Sequence, residues 1–133
     1  MLINWSEINS VGVRELDEQH KKLVELINEL SQMIHTLGNN EVLAKFVELK
    51  RLGDEHCAAE ERYFEIFNYP EKEIHKIEHS LYTGKIEEYA KRYFAGDPKV
   101  IEEALEFSRK WWLEHINTID HRYTKYFNEH GLY

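Results

Sequence analysis

Proline is nearly absent from this chain, with two in 133 residues, and glycine is sparse at six. So few breakers leave long uninterrupted stretches, which disfavours a loop-rich or many-stranded fold and favours helices. There is one cysteine, Cys57, so no internal disulfide can form, and a reducing compartment such as the cytoplasm is the expected location. No apolar run approaches the ~18 residues that a membrane span needs, and the start, MLINWSEINS, has neither a basic region nor an apolar core, so no signal peptide is expected. Positive charge is outnumbered, 17 Lys and Arg against 25 Asp and Glu, for a net charge of -8. That balance argues against nucleic acid or an anionic membrane as partner.

What remains is 42% hydrophobic and 32% charged, enough for one domain with a buried core. The breakers divide it into an N-terminal arm, residues 1–15, and four helices at about 17–37, 41–67, 71–95 and 98–128. The arm carries Trp5, Ile8, Val11 and Val13. Gly38-Asn39-Asn40 is read as the end of the first helix and Asn68-Tyr69-Pro70 as the end of the second. Asp97 and Pro98 open the fourth, as cap and first helical residue.

Each helix carries an apolar stripe stepping by four and three: Leu16, Leu23, Ile27, Leu30 and Ile34 in the first, and Val42, Phe46, Leu49 and Gly53 in the second. The second continues to Tyr63 and Phe67, the third reads Tyr82, Ile86, Tyr89 and Tyr93, and the fourth Ile101, Leu105, Ser108, Trp112 and Ile119. That pattern is the buried seam of an all-α, up-down-up-down antiparallel four-helix bundle.

Polar groups interrupt these seams. His20, His56, Glu60, His75, His79 and His115 stand where leucine belongs. Unpaired, such groups cost several kcal/mol each to bury. In an up-down-up-down bundle they all fall at one end, together with Asp120. His56 and Glu60, and His75 and His79, are four apart, so each pair shares a helix face. His115 and Asp120 are five apart, which a regular helix cannot aim together, so a π-bulge or a break is expected between them. Five imidazoles and two carboxylates suit two first-row ions; iron, zinc, copper and manganese all fit that donor set. With both carboxylates bridging and a hydroxide shared, the donors fall one short of filling two six-coordinate ions, which leaves an open position for a small ligand. The remaining histidines, His35, His121 and His130, have no such support and are expected in solvent. Cys57 is read as a small packing residue, and one or two of the aromatic residues as unassigned outer donors.

The motifs LDEQHKKLVELIN and WxxxHIxxID, with all seven donor positions, resemble the hemerythrin family, in particular its bacterial single-domain members, over essentially the whole chain. The resemblance implies a non-haem di-iron centre with an oxo or hydroxo bridge. It places His75, His79 and His115 on one iron, His20 and His56 on the other, and Glu60 and Asp120 between them. It implies reversible dioxygen binding at the open iron, with dioxygen the partner and no catalysis. A di-iron oxidase, peroxidase or nitric-oxide-handling enzyme is the alternative, then iron storage. Two positions depart from the family. Cys57 stands where an aromatic residue is frequent, and Trp112 where a leucine is common. Both belong to the expected oxygen pocket, which Trp112 narrows and the Cys57-Ala58-Ala59 run widens.

Overall fold

The structure, a computed structural model, describes residues 5, 9–36, 38–97 and 99–133. Its four long helices are α1, Arg14–Met33; α2, Asn39–Phe67; α3, Lys72–Phe94; and α4, Val100–Asn117. A short 3-10 turn, Asp120–Tyr123, and a final helix α5, Thr124–Glu129, complete the order. Helix α1 packs on α2, α2 on α3, α3 on α4, and α4 back on α1, which closes a four-sided bundle. No described helix is long and apolar enough to cross a membrane.

The arm is tied across one end. The Asp17 carboxylate accepts from the Val11 amide at 2.7 Å and from the Ser10 hydroxyl at 2.5 Å. Thr124 and Asn128 of α5 donate to the Val11 and Gly12 carbonyls. Gly12 sits at φ +71, and a Cβ there would meet Thr124 Cγ2 at 2.7 Å, so both backbone and space require glycine. Val11 and Val13 are fully buried beside Tyr123 and Phe127. Ile8 lies outside the described residues.

Several boundaries differ from the sequence expectation. Helix α1 begins at Arg14, because the Asp17 amide already bonds the Val13 carbonyl, and it ends at Met33 rather than near 37. Gly38 caps the start of α2 instead of ending α1, its amide donating to Glu41 Oε2, and Asn39 and Asn40 belong to α2. Leu37 and Pro98 lie outside the described residues. Helix α4 begins at Val100, with the Asp97 carboxylate accepting from the Lys99 amide. The second break holds as read: Asn68 is left-handed at φ +50, and the Tyr69 amide returns to the Phe64 carbonyl.

The seams also drift. At the end of α2 the fully buried residue is Phe64, while Tyr63 and Phe67 are half-buried. At the end of α4 Ile116 is buried, and Ile119, just past the helix, is half-buried. A 3.6-residue turn slides away from a strict four-three pattern over two or three turns, and α2 is long enough to show it.

Candidate metal centre

All four long helices and the turn after α4 bring one polar group or more to the same buried point. Helix α1 supplies His20, α2 His56 and Glu60, α3 His75 and His79, α4 His115, and the 3-10 turn Asp120. Each of these seven residues is at most 3% exposed. The spacing problem at His115 and Asp120 is solved by a break: α4 ends at Asn117 and Asp120 opens the 3-10 turn. That turn also carries His121 to a half-buried position with an unpartnered Nε2, against the expectation of solvent, whereas His35 and His130 are exposed.

Every histidine enters through Nε2. Asp120 Oδ1 lies 2.9 Å from Nε2 of His75 and of His115, and Asp120 Oδ2 lies 2.9 Å from Nε2 of His20. Glu60 Oε1 is 3.0 Å from His79 Nε2, and Glu60 Oε2 is 3.3 Å from His56 Nε2. The Nε2 atoms of His75 and His115 are 3.1 Å apart. Donors at neighbouring corners around an ion with bonds of ~2.1 Å are ~3 Å apart, so these separations have the size of coordination edges. Hydrogen bonding leaves much of the site unsatisfied: His20 Nε2, His56 Nε2, His79 Nε2, Glu60 Oε1 and both Asp120 oxygens have no well-directed partner. Buried polar atoms are rarely orphaned, and a cation removes the cost.

The donors fall into two sets. Glu60, His75, His79, His115 and Asp120 form one; His20, His56, Glu60 and Asp120 form the other; within each, the donor atoms lie within 4.8 Å of one another. Glu60 and Asp120 are common to both, as two carboxylates spanning two cation positions require.

The electrostatics agree. Burial pushes the Glu60 carboxyl up, and the Asp120 charge adds to that, yet the imidazoles, His56 first, hold it well below the usual carboxylate range. Asp120 is depressed likewise, its burial outweighed by His115, His20 and His56. Burial opposes charge on the histidines too, but the two carboxylates raise His56 to about 9 and His75 to about 10, while burial and the neighbouring His56 lower His20. Without a cation, two buried carboxylates thus demand positive charge from the imidazoles around them.

Outer contacts hold the rings. His56 Nδ1 donates to Gln19 Oε1 at 2.6 Å, His79 Nδ1 to Glu61 Oε2 at 2.9 Å, and Tyr123 donates its hydroxyl to Glu60 Oε2 at 2.5 Å. The sequence does not single out these three residues as outer partners: Tyr123 is one aromatic residue among many, and Gln19 and Glu61 are visible only as chain neighbours of His20 and Glu60. All three tryptophans flank the centre. Trp111 stacks on His115 at 4.2 Å, Trp5 lies 6.2 Å from His20, and Trp112, fully buried, lies 5.8 Å from His56. Gly53 makes room for Trp112, whose Cζ2 would lie 3.2 Å from a Cβ there. Cys57 is buried on the wall of a cleft between α2 and α3 that His79 also lines, and its thiol is pushed upward by burial and nearby carboxylates.

Known proteins resemble this chain along most of its length. Residues 11–127 match the family described as the hemerythrin HHE cation binding domain. The chain belongs to the hemerythrin family. It is 29% identical to the bacteriohemerythrin of Clostridium acetobutylicum over 90% of this chain and 96% of that one, and 26% identical to that of Methylococcus capsulatus over 92% and 94%. A hemerythrin-like protein of Naegleria gruberi is 30% identical over 90% of this chain and 89% of its own. Wild-type hemerythrin has been solved with a fold that superposes at a TM-score of 0.87, with 25% identity, covering 94% of this chain and 97% of that one. As a hemerythrin-type chain, it carries the family's four-helix bundle around a histidine and carboxylate cluster suited to metal.

Proposed function

We propose that this chain is a non-haem di-iron protein that binds dioxygen reversibly at one open iron position, for carriage, storage or sensing, in the cytoplasm. The observation that carries the reading is the inequality of the two donor sets. One position draws on three imidazoles, the other on two, and both share Glu60 and Asp120. The poorer position, at His20 and His56, is where an added ligand fits. Iron held by these seven residues would supply reversible two-electron chemistry toward dioxygen. The side chains do the rest. Glu60 and Asp120 keep the two positions adjacent, and the histidines, neutral when they ligate, favour the reduced pair over higher oxidation states. Tyr123 and Gln19 keep Glu60 and His56 from swinging. Trp112 fills the space beside His56 and, with Cys57 nearby, bounds the oxygen pocket and excludes water. Relatives bearing the name bacteriohemerythrin support the same reading.

The test is spectroscopic. Protein loaded with iron and reduced without air should colour on exposure to air and bleach again under vacuum. Steady consumption of dioxygen with an added reductant would instead assign the chain to the di-iron enzymes. Glu60→Ala should lose iron, by metal analysis; full occupancy in that variant would remove Glu60 from the bridge.

A further inference from the structure

We propose that Glu61 is a positioning residue that makes the two metal positions unequal by polarising His79. This inference rests on the two-ion reading above. Each ligand histidine turns Nε2 inward, so Nδ1 is the nitrogen that carries the proton outward. Among the described residues only two of the five outward N–H groups meet an acceptor. The Nδ1 atoms of His20, His75 and His115 are without one. The two partners differ in charge. His56 donates to Gln19, a neutral amide, whereas His79 donates to Glu61, a carboxylate.

An anionic acceptor draws the outward proton toward itself and raises the basicity of the inward nitrogen; an amide does this only weakly. Glu61 therefore fixes the His79 tautomer and ring angle and adds electron density to the ion held by His75, His79 and His115. The ion held by His20 and His56 receives no such push. Glu61 reaches this role from the surface. Its side chain is 35% exposed and forms part of the wall of an α2–α3 cleft of about 440 Å³, with Asp54, Thr83 and Glu87 alongside. Replacing it leaves no buried void, so its variants test the contact and not the fold.

The experiment titrates metal-free protein with zinc against a competing chromophoric chelator. Wild type should take up two equivalents. In Glu61→Ala one equivalent should weaken by about 10–100-fold while the other is unchanged. Glu61→Gln, which keeps an acceptor but not the charge, should fall between the two. Nitrogen-15 correlation spectra of the imidazoles identify the weakened position. In Glu61→Ala the weakened equivalent should be the one whose binding shifts the His79 resonances, and the unchanged one that which shifts His20 and His56. The proposal is overturned if both equivalents weaken alike, if neither changes, or if the weakened equivalent is the one read at His20 and His56. Uptake of a single zinc by wild type would overturn the two-ion reading itself, a result separate from any effect of the variants.

Discussion

At the scale of single residues, the site is built from groups that each violate an ordinary burial rule. Glu60 is fully buried, yet it remains a carboxylate because His56, His75 and the Tyr123 hydroxyl surround it. Tyr123→Phe removes a buried hydrogen bond to a charged acceptor and should cost about 1–3 kcal/mol. Urea unfolding of the zinc-loaded protein measures it, and an unchanged midpoint would show that Glu60 is held by the metal alone. The seven donor residues were legible in the chain because each replaces an apolar residue in a seam or stands at a spacing a helix cannot tolerate. Gln19 and Glu61 were not legible as outer partners. Each contacts a histidine on a different helix, and contacts between helices have no signature in local spacing.

At the scale of elements, the helices follow from pattern while their ends follow from contacts. The four-three stripes of α1 and α3 place Leu23, Ile27, His75 and His79 in the interior as their spacing requires. The end of α4 is different. Its break after Asn117 was legible only as a need, since His115 and Asp120 could not otherwise face one point; whether a bulge or a break met that need depended on the packing of the following turn. The arm is held by side chains from α1 and α5, so its order is a tertiary matter. Gly12→Ala tests this. A Cβ at φ +71 and 2.7 Å from Thr124 should destabilise the chain by about 1–3 kcal/mol. A thermal scan should show a lowered transition with the metal content unchanged, because the strain lies in the arm and not among the donors. An unaltered transition would mean the arm adjusts freely.

At the scale of the whole molecule, the buried charges dictate how stability responds to pH. In metal-free protein, His56 and His75 are raised above the ordinary 6.5, to about 9 and about 10. Their contribution is complete below 6.5 and is lost as the pH rises through those values. Glu60 and Asp120, held well below their ordinary values, contribute above those values and lose this as the pH falls. His20, lowered by burial, opposes the other two histidines. Metal-free protein should therefore be most stable between the ordinary carboxylate and imidazole values and weaken on the alkaline side. Bound metal reverses the upper half of that profile, since ligating imidazoles must be neutral, and loaded protein should gain stability from pH 6 to 8. Melting temperatures across pH, with and without zinc, check both; parallel profiles would sink the account. Composition and periodicity alone determined a helical bundle with polar donors at one end, because burying an apolar stripe leaves a helix few alternatives. Spacing alone left those donors undivided; the tertiary structure groups them into unequal sets around two shared carboxylates, since that division depends on ångström separations between side chains from different helices.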